Sequence, residues 1–188
     1  MRWLALYARS RQVPASAAAI AVVTAALRAL EGSDRADVGI AVLVLTTCVA
    51  AASVGLGGTD VVLERTAAIR WAPRRAAHVL LIGAFAGAAL LAVQATGAQL
   101  APTELVVRAA AGLAGLAALG AVLCGAHFAW TLPTGWLGFT LLAPPPGGTV
   151  GEVLHWMTFP PGTPASTATA LTLLTLGTTL YAAAGPRP

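Results

Sequence analysis

Long apolar runs alternate with short polar segments along the chain. Six runs are long enough to cross a bilayer as a helix, which takes about 17 to 25 apolar residues; they are residues 14–30, 38–57, 76–96, 105–124, 126–142 and 165–184. The fifth run contains Pro133 and Gly135, which predict a kink. The pattern therefore predicts an all-α integral membrane protein in which residues 1–188 form a single domain of six transmembrane helices.

The composition favours the bilayer as the solvent of this chain. Hydrophobic residues make up 57% of it and charged residues only 10%, which is too little charge to cover the surface of a soluble domain. The net charge is +4 and every basic residue is an arginine. These arginines stand in small clusters between apolar runs, which is typical of membrane topology and argues against a nucleic-acid partner.

The same arginines predict the orientation of the bundle. With the N-terminus inside, eight of the 11 arginines fall on the inner side, as the positive-inside rule requires. We therefore expect a multi-pass protein of the bacterial plasma membrane with both termini in the cytoplasm. An N-terminal interfacial helix is expected along the inner surface. The residues predicted at this inner membrane interface are Trp3, Arg9, Arg11, Trp71, Arg74 and Arg75.

The polar segment between the second and third runs predicts a short amphipathic helix on the cytoplasmic side. Gly57 and Gly58 end the second run, and Asp60 can cap a new helix and complement its dipole. Pro73 is expected to end that helix. One interpretation is a surface helix that only closes a loop. The other is a docking element for a cytoplasmic partner.

The outer side is expected to carry an unusual segment and an ion pair. Residues 143–164 are too apolar for an ordinary exposed loop and too broken by proline and glycine to span, so they predict a re-entrant or interfacial segment. Glu104 and Arg108 stand four residues apart near the outer end of the fourth span. We expect them to pair on one helix face, with the arginine side chain snorkelling to the surface.

Small residues predict close contacts between the spans. Gly83 and Gly87 form a GxxxG pattern in the third span, and Ala110, Ala114 and Ala118 repeat at the same spacing in the fourth. Such stripes let helix backbones approach closely.

Few groups in the spans could carry chemistry. Cys48 and Cys124 lie in different parts of their helices and are not expected to form a disulfide. The three histidines, at positions 78, 127 and 155, are isolated, so no metal site is expected. No nucleophile or acid cluster indicates an intramembrane enzyme.

Three short stretches carry a resemblance to a known family. Residues 60–68 have the form Asp-x-x-x-Glu-Arg-Thr-Ala-Ala and are followed by an arginine cluster, while residues 9–14 are Arg-Ser-Arg-Gln-Val-Pro and residues 159–162 are Phe-Pro-Pro-Gly. Together with the layout of the spans, these stretches make the chain resemble exporter-type ABC transporter permeases of the type V fold. More narrowly, it is similar to small actinobacterial permease-like membrane proteins.

The resemblance implies a cytoplasmic coupling helix that sits in a groove of a separate ATPase subunit, and a second permease copy or paralogue that completes a dimer. Magnesium and ATP would bind to the partner subunit and no cofactor to this chain. The chain departs from larger members in its length and in its proline-rich outer segment. By this resemblance the partner-binding residues are Asp60, Glu64, Arg65, Thr66 and Arg70.

The first hypothesis is therefore the permease subunit of an ABC exporter that moves a hydrophobic or amphipathic substrate. The chain is not an ATPase itself, because it has no lysine and so no GxxxxGK[ST] motif. One alternative is a non-transporting membrane scaffold or immunity protein of the same fold. The other is a small ion-coupled carrier, for which the spans offer no central acid.

Overall fold

The computed structural model describes residues 38–57, 71–97 and 100–187. All regular structure in these ranges is helical. The α-helices are α1 (Val38–Ser53), α2 (Trp71–Gln94), α3 (Thr103–Leu123), α4 (Thr131–Leu142), α5 (Gly148–Leu154) and α6 (Pro164–Ala184), and two 3₁₀ turns cover Val54–Leu56 and Ala126–Phe128.

Four helices are long and apolar enough to cross a membrane, which indicates a membrane protein. They are Val38–Leu56, α2, α3 and α6. These four match the predicted second, third, fourth and sixth spans to within about five residues, so those predictions are confirmed as helices. The predicted first span, the N-terminal interfacial helix and the amphipathic helix that starts at Asp60 lie outside the described residues.

The predicted fifth span, 126–142, is not one continuous helix. Gly125 adopts φ = 99°, a 3₁₀ turn follows, and α4 has only 12 residues, or about 18 Å of helix. That length falls short of a bilayer core of about 30 Å. Pro133 is the third residue of α4, a position in the first turn where a missing N–H breaks no intrahelical bond, so the expected mid-span kink is wrong.

The prediction for Pro73 is also wrong. This proline lies inside α2, which runs from Trp71 to Gln94, instead of ending a preceding helix. Its ring presets the helical φ, which suits its position as the third residue of α2. The third span therefore begins about five residues earlier than predicted.

Helix α3 forms the centre of the bundle. It contacts α1, α2, α4 and α6, and most of its side chains are buried, whereas few of those of α6 are. Its buried positions are mainly alanine, glycine and leucine. Small side chains allow several backbones to approach one helix at once, so van der Waals packing can hold the bundle together in lipid.

The predicted glycine stripe of α2 forms its contact with α3. A Cβ added to Gly83 would lie 3.1 Å from the Cβ of Ala114, and one added to Gly87 would lie 3.3 Å from the Cβ of Ala110. The pairing of Gly83 with Ala114 and of Gly87 with Ala110 makes the two helices antiparallel. The close packing predicted from these stripes is confirmed.

The bundle has two chemically different ends. At the first, called the arginine end, the Arg75 guanidinium lies next to Gly185 and the Arg187 backbone N–H donates to the Ala121 carbonyl at 3.1 Å. At the second, called the cap end, α3 and α6 begin and α4 ends. Arg75 and Arg187 therefore share one end, while Glu104 lies in the first turn of α3 at the other.

Candidate binding site at the cap end

Residues 147–162, called the cap, fold back onto the bundle between α4 and α6. Three consecutive prolines, residues 144–146, precede the cap, and Gly148 and Gly162 adopt φ values of 70° and 79°. These positive values reverse the chain direction at little steric cost only because both residues are glycine. The cap contains the short helix α5 and a turn that carries two fully buried side chains, those of Trp156 and Met157.

The cap reaches deep alongside α3. The indole ring of Trp156 occupies the space where a Cβ of Gly112 would stand. Gly112 lies nine residues from the start of α3, or about 14 Å along a helix of about 31 Å. The cap therefore covers the length of the bundle that the short α4 leaves open, which explains why α4 can end at Leu142.

Side chains of three helices hold the cap by donating hydrogen bonds to its carbonyl groups. The Trp136 indole N–H of α4 donates to Leu154 O at 2.9 Å. The Ser166 hydroxyl of α6 donates to Glu152 O at 2.8 Å. These carbonyls belong to residues near the end of α5, where helix carbonyls lack partners within the helix, so the bonds satisfy acceptors that α5 itself leaves unpaired.

Arg108 of α3 makes the third attachment. One terminal nitrogen of its guanidinium, Nη1, donates to Pro160 O at 3.1 Å, and the other, Nη2, donates to Phe159 O. The side chain is only 7% exposed, and its Nε has no hydrogen-bond partner. A planar group with five donors suits this task, because it can bind two successive carbonyls at once.

Glu104 and Arg108 interact electrostatically, as expected, but they do not form a close salt bridge. Glu104 is exposed in the first turn of α3, whereas the Arg108 guanidinium is turned inward onto the cap. Among the described residues no carboxylate lies within salt-bridge distance of it. The local four-residue spacing favoured the pair, but the guanidinium donates instead to the carbonyls of Phe159 and Pro160, in part-buried hydrogen bonds.

Two further buried polar groups of the cap lack partners. His155 is 2% exposed and Trp156 fully buried, and neither His155 Nε2 nor Trp156 Nε1 has a hydrogen-bond partner. The His155 ring packs against Phe139 of α4 with 5.5 Å between ring centroids. With Arg108 Nε, three buried nitrogens at the cap end of the described bundle lack a hydrogen-bond partner. This is unusual, because buried polar atoms are usually hydrogen-bonded.

An apolar groove of about 320 Å³ runs between α2 and α6, with α3 as its floor. Helices α2 and α6 approach each other at the arginine end, where Arg75 meets Gly185, and α2 packs on α3 through Gly83 and Gly87. The groove is lined by Leu80, Gly83, Ala84, Gly87, Ala88, Leu91, Val107, Ala110, Ala111, Ala114 and Leu174. Its polar surface is negligible, so it suits a hydrocarbon group.

The predicted site residues fall mostly outside the described ranges. This holds for Asp60, Glu64, Arg65, Thr66 and Arg70 of the coupling helix, and for Trp3, Arg9 and Arg11 at the membrane interface. The remaining interface residues begin α2, where the Arg74 guanidinium carbon lies 5.7 Å from the centroid of the Trp71 ring. Such a cation–π contact at a helix end is typical of a membrane boundary.

Other candidate chemistry is sparse in the described residues. No group of three histidine, cysteine, aspartate or glutamate side chains could hold a metal ion there. Both cysteines are free, Cys48 buried in α1 and Cys124 exposed after α3. The site at Arg108 was missed by sequence reasoning, although a lone arginine inside an otherwise apolar run is itself a signal.

Comparison with known proteins adds no identification, since no protein-family model, curated protein or solved structure matches this chain.

Proposed function

We propose that this chain is the membrane-spanning permease subunit of an ABC exporter, driven by a separate ATPase subunit and moving a hydrophobic or amphipathic substrate. The observation that supports it best is the apolar groove beside a bundle whose far end is closed by a separately attached cap. A groove open to the lipid can take up an apolar molecule from the bilayer. A cap held by a few side-chain hydrogen bonds can be displaced without unfolding the helices.

The proposal includes an orientation and a partner surface. The arginine end lies in the cytoplasm, following the positive-inside rule. In this proposal Asp60, Glu64, Arg65, Thr66 and Arg70 contact the ATPase on the cytoplasmic side. The cap is a re-entrant segment at the outer face, and a second permease copy or paralogue completes the transporter.

The partner is tested by purifying the tagged chain in a mild detergent from its own host. We expect a protein with a GxxxxGK[ST] motif to copurify in a fixed ratio. The double variant Glu64→Ala/Arg65→Ala should lose that partner, while the matched variant Asp34→Ala/Arg35→Ala, in the loop predicted on the other side, should retain it. An ATPase-free preparation, or equal retention by both variants, would overturn the proposal.

A second candidate is a non-transporting scaffold or immunity protein. The backbone-to-backbone contact of α3 with α6 through Gly115 and Gly177 favours it, because such packing leaves the two helices little freedom to separate. The two functions differ in one measurement. If hydrophobic amphipaths raise the ATP hydrolysis rate of the purified complex, transport is supported; a rate that no amphipath changes favours the scaffold.

A further inference from the structure

The arginine end of the described bundle carries an excess of positive charge. Arg74, Arg75 and Arg187 lie at this end, whereas both carboxylates of the described residues lie at the cap end. Residues 58–70, which precede α2, contain two acids and two arginines and so add no net charge. A cluster of one charge attracts ligands of the other, so this end suits an anionic partner.

Arg74 presents its guanidinium to the surface at this end. The side chain is exposed, and its guanidinium carbon lies 5.7 Å from the centroid of the Trp71 ring. Within the described residues it makes no hydrogen bond or ion pair. A cation–π contact orders a guanidinium without supplying an acceptor for its N–H groups. Trp71 therefore positions a cation whose donors can bind an acceptor from outside the bundle.

An exposed apolar strip runs along α2 from Arg74. Leu81 and Phe85 follow this arginine by about two and three helical turns, so the three side chains lie on one face of the helix. The exposed fraction is 51% for Leu81 and 62% for Phe85, and neither lines the groove. Arg74 and Phe85 are about 16 Å apart along the helix, close to half of a hydrocarbon core of about 30 Å. The strip therefore covers the thickness of one leaflet.

We infer that this face of α2 binds one anionic phospholipid, with the head-group phosphate at the Arg74 guanidinium and an acyl chain along Leu81 and Phe85. A planar guanidinium matches the oxygens of a phosphate, and Arg187, which is also exposed, adds to the positive field. The apolar strip favours a lipid over a soluble phosphate, because only the lipid brings hydrocarbon to cover it. The inference depends neither on the proposed function nor on the orientation of the bundle.

The test compares two lipids that differ only in their head groups. The full chain in a neutral detergent is titrated with dioleoyl phosphatidylglycerol or dioleoyl phosphatidylcholine, and the first bound lipid is quantified by native mass spectrometry. We expect the anionic lipid to bind more tightly. Arg74→Gln should weaken its binding by about fivefold, the contribution of one arginine near an anionic lipid surface, and leave phosphatidylcholine unchanged. Arg74→Lys, which keeps the charge, should retain most of the preference.

Matched variants separate the head group from the acyl chain. Arg35→Gln is the control for charge, because it removes an arginine from the loop predicted on the other side of the membrane, and it should leave phosphatidylglycerol binding unchanged. Leu81→Ala shortens the apolar strip and should weaken both lipids by a similar factor. Leu171→Ala is the control for that change, because Leu171 is equally exposed, at 53%, but lies on α6; it should weaken neither lipid.

A further arm distinguishes a lipid from a free phosphate. Glycerol 3-phosphate carries the phosphate without acyl chains, so at the same concentration it should not displace phosphatidylglycerol. Displacement would assign the site to a soluble phosphate and overturn the inference. Equal affinity of the unmodified chain for the two lipids would also overturn it, as would an equal loss of phosphatidylglycerol in Arg74→Gln and Arg35→Gln. An equal effect of Leu81→Ala and Leu171→Ala would show that the acyl chain does not lie along this face of α2.

Discussion

Gly177 of α6 packs directly against the backbone of Gly115 of α3, which fills the space that a side chain at position 177 would need. A Cβ added to Gly177 would collide with the carbonyl group and the Cα of Gly115, and one added to Gly115 with the carbonyl of Leu173. These obstacles are backbone atoms, which cannot move aside as a flexible side chain can. The contact between α3 and α6 therefore depends on two glycines.

Replacing Gly177 by alanine should force α6 away from α3. We expect Gly177→Ala to lower the free energy of unfolding by about 1–3 kcal/mol, as overpacking of a tight contact does. The measurement is equilibrium unfolding in mixed detergent micelles, followed by circular dichroism. Gly138→Ala is the control, because a Cβ there meets nothing within 4 Å; a variant at position 177 as stable as this control would contradict the contact.

Tyr181 joins α6 to the end of the first described span. Its hydroxyl donates to Leu56 O at 2.7 Å, and the side chain is 1% exposed. Tyr181→Phe leaves that buried carbonyl without this donor, so we expect a loss of about 1–3 kcal/mol in the same unfolding assay. Thr179→Val should cost far less, because its exposed hydroxyl bonds only to carbonyls of its own helix. Equal effects of the two changes would argue against the Tyr181 bond.

Ser166 should control how firmly the cap is held. Its buried hydroxyl donates to Glu152 O, and a hydrogen bond of this kind contributes about 1 kcal/mol. Ser166→Ala should therefore raise amide hydrogen exchange of residues 150–159 by about fivefold while α3 stays protected. Thr175→Ala, which removes a bond within α6 only, should leave exchange in the cap unchanged. If Ser166→Ala also changes nothing there, the cap does not depend on this attachment.

The two free cysteines can report both burial and orientation. Cys124 is exposed at the arginine end, whereas Cys48 is 1% exposed inside α1. A membrane-impermeant maleimide should label Cys124 in inside-out vesicles but not in intact cells, and Cys48 only after denaturation. Labelling of Cys124 from outside intact cells would reverse the proposed topology.

An engineered cysteine supplies the opposite control. Gly147→Cys, placed in a Cys124→Ala background at the exposed start of the cap, should be labelled in intact cells. If intact cells leave Gly147→Cys unlabelled but label Cys124 in the unmodified chain, the cap lies in the cytoplasm.

The four confirmed helices could be predicted because each depends on a local property. A helix satisfies its own backbone hydrogen bonds, so a run of about 20 apolar residues is enough to predict one. The contact of Gly83 with Ala114 was equally accessible, since residues at a spacing of four lie on one helix face. The prediction of a continuous span over 126–142 was wrong, because the length of an apolar run does not reveal that α4 stops short and that the cap packs beside α3 beyond its end.

The partner of Arg108 could not be predicted in this way. Its four-residue spacing from Glu104 is visible in the sequence, whereas the carbonyls of Phe159 and Pro160 lie 51 and 52 residues further along the chain. These acceptors meet the arginine only because Gly112 leaves room for Trp156 and so lets the cap descend beside α3. Which acceptors reach Arg108 therefore depends on how three helices pack together.

By itself, then, the sequence determined the helical class, the membrane as solvent and the positions of four spans, because hydrophobic run length and backbone self-satisfaction are local quantities. The tertiary structure alone decided that Arg108 is buried under the cap, that α4 stops short, and that Gly115 and Gly177 bring α3 and α6 together. These features depend on which backbone atoms come within a few ångströms of one another across the bundle. The apolar pattern is nearly uniform along these spans, so it does not indicate which backbone atoms will meet.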